Sequence, residues 1–128
     1  MRLIAGELFK TKSITLELVL KKSPNDHRAY RPLTLASGLQ VLLISNSEID
    51  KAAAALVVNV GHFDDPKHRQ GLAHFLEHML FLGTEKYPDG SQYQQFINQY
   101  GGSCNAWTCT EHTSFFFDIH FSYYEHAL

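Results

Sequence analysis

Three side chains able to do chemistry stand close together in residues 71–83: His74, Glu77 and His78. The run from Leu72 to Leu82 is apolar nearly all round and is predicted to be a buried helix, with Gly83 as its left-handed stop. On a helix, residues four apart lie one above the other, so His74 and His78 share a face. Two imidazoles stacked one turn apart offer nitrogens to a single zinc ion at roughly 2.0–2.1 Å each. Glu77 sits beside His78, where its carboxylate could take the proton from a zinc-bound water whose pKa the metal lowers to about 7.

The competing account of these residues is structural. A histidine on an apolar helix is more often a hydrogen-bonded core group than a ligand. Here three polar groups fall on one face of an otherwise apolar helix. Burying two imidazoles and a carboxylate without partners would be costly, and a metal removes that cost. The residues favour a zinc site.

Composition limits what such a site can belong to. The 128 residues support at most one domain, with room for a real core. Hydrophobic content of 45% and charged content of 19% describe an ordinary globular chain. A net charge of −2 gives no reason to expect nucleic acid or an anionic membrane as partner. No apolar run approaches the roughly 20 residues that span a bilayer. Residues 1–12 alternate apolar and charged side chains and lack the core of a signal peptide. The cytoplasm is therefore the default location, with the periplasm open if the N-terminus is incomplete.

The elements around the motif read as strands, then helices, then strands. Residues 14–20 alternate as a half-buried strand, and 21–32 form a polar connector with two prolines. Leu33–Leu35 and Leu39–Ile44 make a hairpin around Ala36-Ser37-Gly38. Ala52–Val60 is predicted to be a strand buried on both faces. Gly61–Gln70 is a charged loop whose His62 and His68 receive no role. A second helix begins at Asp89 as N-cap, with Gln92 completing a capping-box spacing. It presents Tyr93, Phe96, Ile97 and Tyr100 as a packing stripe and ends at Gly101-Gly102. Cys104–Thr110 and Ser114–Phe121 follow as strands, and 122–128 open a third helix. The fold class is α+β: a mostly antiparallel sheet with helices packed on one face.

Cys104 and Cys109, five residues apart on one strand, would lie about 16 Å apart on opposite faces. That excludes a disulfide between them, which needs Cα atoms within roughly 7 Å. A second metal site of Cys109, His112 and His120 matches no common zinc spacing.

Several separated stretches together resemble one family. They are Arg28–Leu39, Val60–Pro66, the H-x-x-E-H helix, Gly83–Pro88, Gly101–Thr108 and Glu111-His112-Thr113. They run in the order seen in the pitrilysin/insulin-degrading enzyme (insulinase) family, over roughly residues 25–126. The likeness runs closest to the bacterial protease III-type members. H-x-x-E-H is the inverted order of the H-E-x-x-H zinc-protease motif. The resemblance implies a zinc metalloendopeptidase of the inverzincin class, acting on peptides or small unfolded proteins, with a metallopeptidase-type α/β sandwich domain. It makes His74 and His78 zinc ligands and Glu77 the general base.

In that family a substrate peptide adds to an edge strand, and the matching strand here carries Asn105, Ala106 and Trp107, taken as substrate-lining. Trp107 reads equally as core.

The family's third zinc ligand is a glutamate farther downstream than the 50 residues that follow His78, and neither Glu85 nor Glu111 matches its position. Residues 1–24 are thus read as a strand and lead-in, and 25–128 as an incomplete N-terminal catalytic domain. The missing remainder or a partner chain would supply the third ligand. The alternative function is an inactive fragment that binds zinc weakly or pairs with a partner.

Overall fold

The computed structural model describes residues 21–128, so the strand expected over 14–20 lies outside the described residues. The chain divides into two compact units with the boundary between Ile49 and Asp50.

In the first unit, β1 (Ala29–Thr34) pairs antiparallel with β2 (Gln40–Ser45). Leu35 and Gly38 close the turn through Gly38 N–H to Leu35 O at 2.9 Å. Gly38 takes φ +89°, a left-handed conformation that glycine adopts without a Cβ penalty. The hairpin is the expected one, but β1 starts inside the segment read as a connector. Pro32 sits within β1, opposite Leu42. Proline is tolerated there because, among the described residues, both strands of this sheet are edge strands.

In the second unit, β3 (Lys51–Val58), β5 (Thr113–His120) and β4 (Ser103–Thr108) form an antiparallel sheet with β5 in the centre. Register fixes the faces. Cys104, Ala106 and Thr108 lie opposite Phe117, Phe115 and Thr113, so these six share one face with Ile119. Helices α1 (Leu72–Met79) and α2 (Gln92–Gln99) pack against β4 and β5 on that face. A last helical turn, α3 (Tyr124–Ala127), joins them. This is the α+β arrangement expected.

The core is small. Ile97 of α2 and Ile119 of β5 are wholly buried, with Ala127, and Phe96, Tyr100, Cys104, Phe117, Tyr123 and Tyr124 pack around them. Helix α2 ends in a Schellman motif: Gly102 N–H reaches Ile97 O at 2.9 Å and Gly101 N–H reaches Asn98 O at 3.1 Å. Gly101 takes φ +71°. A Cβ on Gly102 would stand 2.0 Å from the Asp118 carbonyl oxygen, so only glycine lets the helix end lie against β5.

Three expectations need correction. Helix α1 is not buried: Leu72, Phe75, Leu76 and Met79 are exposed, as are Leu80 and Leu82 just past its end, and Glu77 is its one buried residue. An apolar circumference signals cover on all sides, whereas the described residues cover only the side facing the sheet. The same reason applies to β3. Among the described residues it pairs with β5 alone, and the exposure of Leu56, Val57 and Val58 shows that it is not covered on both faces. The start of α2 also differs. Asp89 does not cap the helix; its carboxylate accepts from the Ser91 amide (2.9 Å) and hydroxyl (2.7 Å), and Ser91 is the N-cap residue.

Candidate metal centre

The loop before α1 positions the motif. Gly71, at φ +88°, turns the chain into the helix, and as glycine it has no side chain with which to cap it. Asp65 does so from six residues back: its carboxylate accepts from Gly71 N–H at 2.7 Å and Ala73 N–H at 2.9 Å. These are amides left unpaired at a helix start. The amide of Ala73, then burial acting in the opposite sense, then Gly71 set the Asp65 pKa below its ordinary value.

A carboxyl lowered in the folded state stabilises the fold above the ordinary pKa near 4, and that contribution is lost as pH falls through the folded value. The urea midpoint of the wild type is therefore expected to drop on acidification below about pH 4 more steeply than that of Asp65→Asn. Equal slopes would show that Asp65 does not hold the helix start.

The two imidazoles of α1 face each other. His78 Nε2 and His74 Nε2 are 3.1 Å apart, and both residues are exposed. Without a metal, one ring nitrogen donates a hydrogen to the other. Two nitrogens bound at 2.0–2.1 Å to a tetrahedral zinc lie about 3.3 Å apart, so the pair is already spaced for one ion. The residues fit zinc as a two-nitrogen donor pair. Among the described residues no third His, Cys, Asp or Glu joins them in a group able to hold a metal, Glu85 and Glu111 included.

Neither cysteine competes. Cys104 and Cys109 are free, and Cys109 is not grouped with His112 and His120. Burial among apolar neighbours raises the Cys104 pKa and keeps it a thiol.

Glu77 does not lie open beside the imidazoles as its spacing suggested. It is only 7% exposed, and its Oε2 accepts from the Thr108 hydroxyl at 2.7 Å. Thr108 is the last residue of β4, opposite Thr113 of β5, whose own hydroxyl donates to Val60 O at 2.9 Å. The carboxylate thus reaches across from helix to sheet.

Of the residues taken as substrate-lining, Asn105 and Trp107 lie on the helix-free face of β4, exposed, with Trp107 against Phe116 at 5.1 Å. Ala106 lies on the helix face, half-buried, and its N–H donates to Asn105 Oδ1 at 2.9 Å. Strand β4 is an edge strand among the described residues. Trp107, 48% exposed, is not core here.

Three residues near the site escaped the sequence: Asp65, Thr108 and His62. The half-buried His62 ring lies edge-on to His74 at 6.1 Å, with its Nδ1 3.8 Å from Asp65 Oδ2. The signal that could have found Thr108 is strand parity, which puts it on the same face as Ala106 and Cys104.

The insulinase profile (peptidase family M16) matches residues 40–128. The human insulin-degrading enzyme is 51% identical over 109 residues, which is 85% of this chain and 11% of that protein. The chain belongs to the insulinase family. The A-factor-processing enzyme of Saccharomyces cerevisiae is 47% identical over 105 residues, 82% of this chain and 10% of that protein. Among solved structures, the crystal structure of pitrilysin superposes with a TM-score of 0.85 at 36% identity, over 92% of this chain and 13% of that one. This insulinase-family chain thus spans about a tenth of the length of the curated relatives it matches.

Proposed function

We propose that this chain carries the metal-binding and proton-transferring part of a zinc metalloendopeptidase that hydrolyses peptide bonds in peptides or small unfolded proteins. The observation that carries the reading is the 3.1 Å approach of the His74 and His78 Nε2 atoms one residue from a buried, hydrogen-bonded carboxylate. His74 and His78 hold the ion. Bound there, zinc would supply Lewis acidity near neutral pH.

The chain's own residues do the rest. The Glu77 carboxylate takes the proton from the attacking water and delivers it to the leaving amine. The substrate backbone adds to the edge of β4 that is unpaired among the described residues, by strand pairing that orders an extended peptide without reading its sequence. Asn105, Ala106 and Trp107 then line its side chains. Because β4 meets α1 at the Thr108–Glu77 contact, a peptide on that edge runs past the base. Residues 25–128 act as the N-terminal part of a catalytic domain. A third ligand comes from the remainder of the enzyme or from a partner chain.

A second reading is an inactive module that binds zinc weakly and pairs with a partner. It is favoured by the lack of a third metal-binding side chain beside the imidazoles among the described residues. Cleavage of a fluorescence-quenched peptide by the chain, assayed together with the remainder of the enzyme or the partner chain that supplies the third ligand, separates the two. The peptidase reading expects turnover that is abolished by a chelator and restored by zinc. The module reading expects weak zinc uptake and no turnover at any zinc concentration.

A further inference from the structure

Glu77 is the only buried residue of α1, and it is a carboxylate rather than one of the helix's leucines. What holds it is specific. Thr108 Oγ1 donates to Glu77 Oε2 at 2.7 Å. Thr113, directly across the β4–β5 ladder, cannot take over this task, because its single hydroxyl hydrogen is given to Val60 O at 2.9 Å. The two threonine oxygens are 3.5 Å apart, the limit of a hydrogen bond. No described residue bonds Glu77 Oε1, and no buried side-chain oxygen among the described residues lacks a partner. Among the described residues, Oε1 is therefore the carboxylate oxygen without a hydrogen-bond partner.

We infer that Thr108 is a positioning residue for Glu77: its hydroxyl ties down one carboxylate oxygen so that the other is presented for proton transfer. The inference rests on the reading of Glu77 as the base. The physical need is plain. A glutamate has three side-chain torsions, and a base must lie within hydrogen-bonding reach of the proton it removes. One bond to a strand residue at the end of β4 removes most of that freedom. It also ties the orientation of the base to the strand whose outer edge would receive the peptide. A hydroxyl on a neutral side chain does this without adding a charge beside the metal pair.

The shape-matched substitution Thr108→Val removes the hydroxyl, and Thr108→Ser keeps it while losing the methyl. In the chain labelled with 13C-glutamate, the Glu77 carboxyl resonance is identified by its loss in Glu77→Gln. Thr108→Ser is expected to leave that resonance at its wild-type position, with cleavage within about threefold of wild type. Thr108→Val is expected to move it towards the exposed Glu85 and Glu111, and to lower kcat by about 10–100-fold, the range for outer-shell partners at metal sites, with KM unchanged. If the valine variant does not fold, Thr108→Ala gives the same readings.

A resonance unmoved by loss of the hydroxyl overturns the inference, as does one moved equally by serine and valine. So does a kcat that loss of the hydroxyl leaves unchanged. A wild type that takes up zinc and cleaves nothing overturns the peptidase reading instead, and the carboxyl resonance alone then decides the role of Thr108.

Discussion

Glu77→Gln is expected to lower kcat for peptide cleavage by about 10²–10⁴-fold, the usual contribution of a positioned general base, while KM and zinc affinity stay within about twofold of wild type. The substitution is almost isosteric. The glutamine carbonyl can still accept the Thr108 hydrogen that Glu77 Oε2 accepts at 2.7 Å, so the side chain keeps its place between α1 and β4. His74 and His78, which hold the metal in this account, are untouched. What is lost is basicity: an amide does not take a proton near neutral pH. Steady-state kinetics on a quenched peptide, beside a zinc titration of both proteins, read the two effects separately. A kcat reduced less than about threefold would remove Glu77 from the chemistry. A parallel fall in zinc affinity would mean that the carboxylate supports the ion rather than the water.

The second large effect concerns stability. Ile119→Ala is expected to cost about 2–5 kcal/mol, measured by urea unfolding of the chain. Ile119 is fully buried in the central strand, and it packs with Ile97 of α2, also fully buried. Few apolar side chains in the second unit are buried at all, so the neighbours have little other packing with which to compensate. Against a total of about 5–15 kcal/mol for a typical domain, that loss is a large fraction. Val57→Ala is the control. Val57 is 55% exposed on the helix-free face of β3, and its truncation is expected to change stability by no more than about 0.5 kcal/mol. Similar losses for the two variants would contradict the placement of the core between β5 and α2.

The candidate site was legible to the extent that it depends on spacing along one helix. Histidines four apart must share a face, and H-x-x-E-H carries its geometry in its own sequence. The stop of α2 was equally plain, because a Gly-Gly pair after an apolar stripe allows the left-handed turn that Gly101 makes. What depends on partners distant in sequence was not legible. Asp65 caps α1 from a loop, and nothing local marks it as a cap, since the usual capping position is occupied by Gly71. Thr108 acquires its meaning from the register of β4 against β5 and from the approach of α1, neither of which a single strand reveals. The burial of α1 and β3 was misjudged for a related reason. Apolar composition reports how much cover an element can use, and the described residues supply cover on only one side of each.

In the proposed reading the imidazole pair of α1 holds the ion, which is a matter of coordination. X-ray absorption at the zinc edge of the zinc-loaded chain tests that most directly. The account predicts two imidazole nitrogens at about 2.0–2.1 Å with the remaining positions filled by oxygen, and loss of the imidazole signal in the His74→Ala, His78→Ala double variant. Sulfur at about 2.3 Å, from Cys104 or Cys109, or a spectrum that the double variant leaves unchanged, would contradict it.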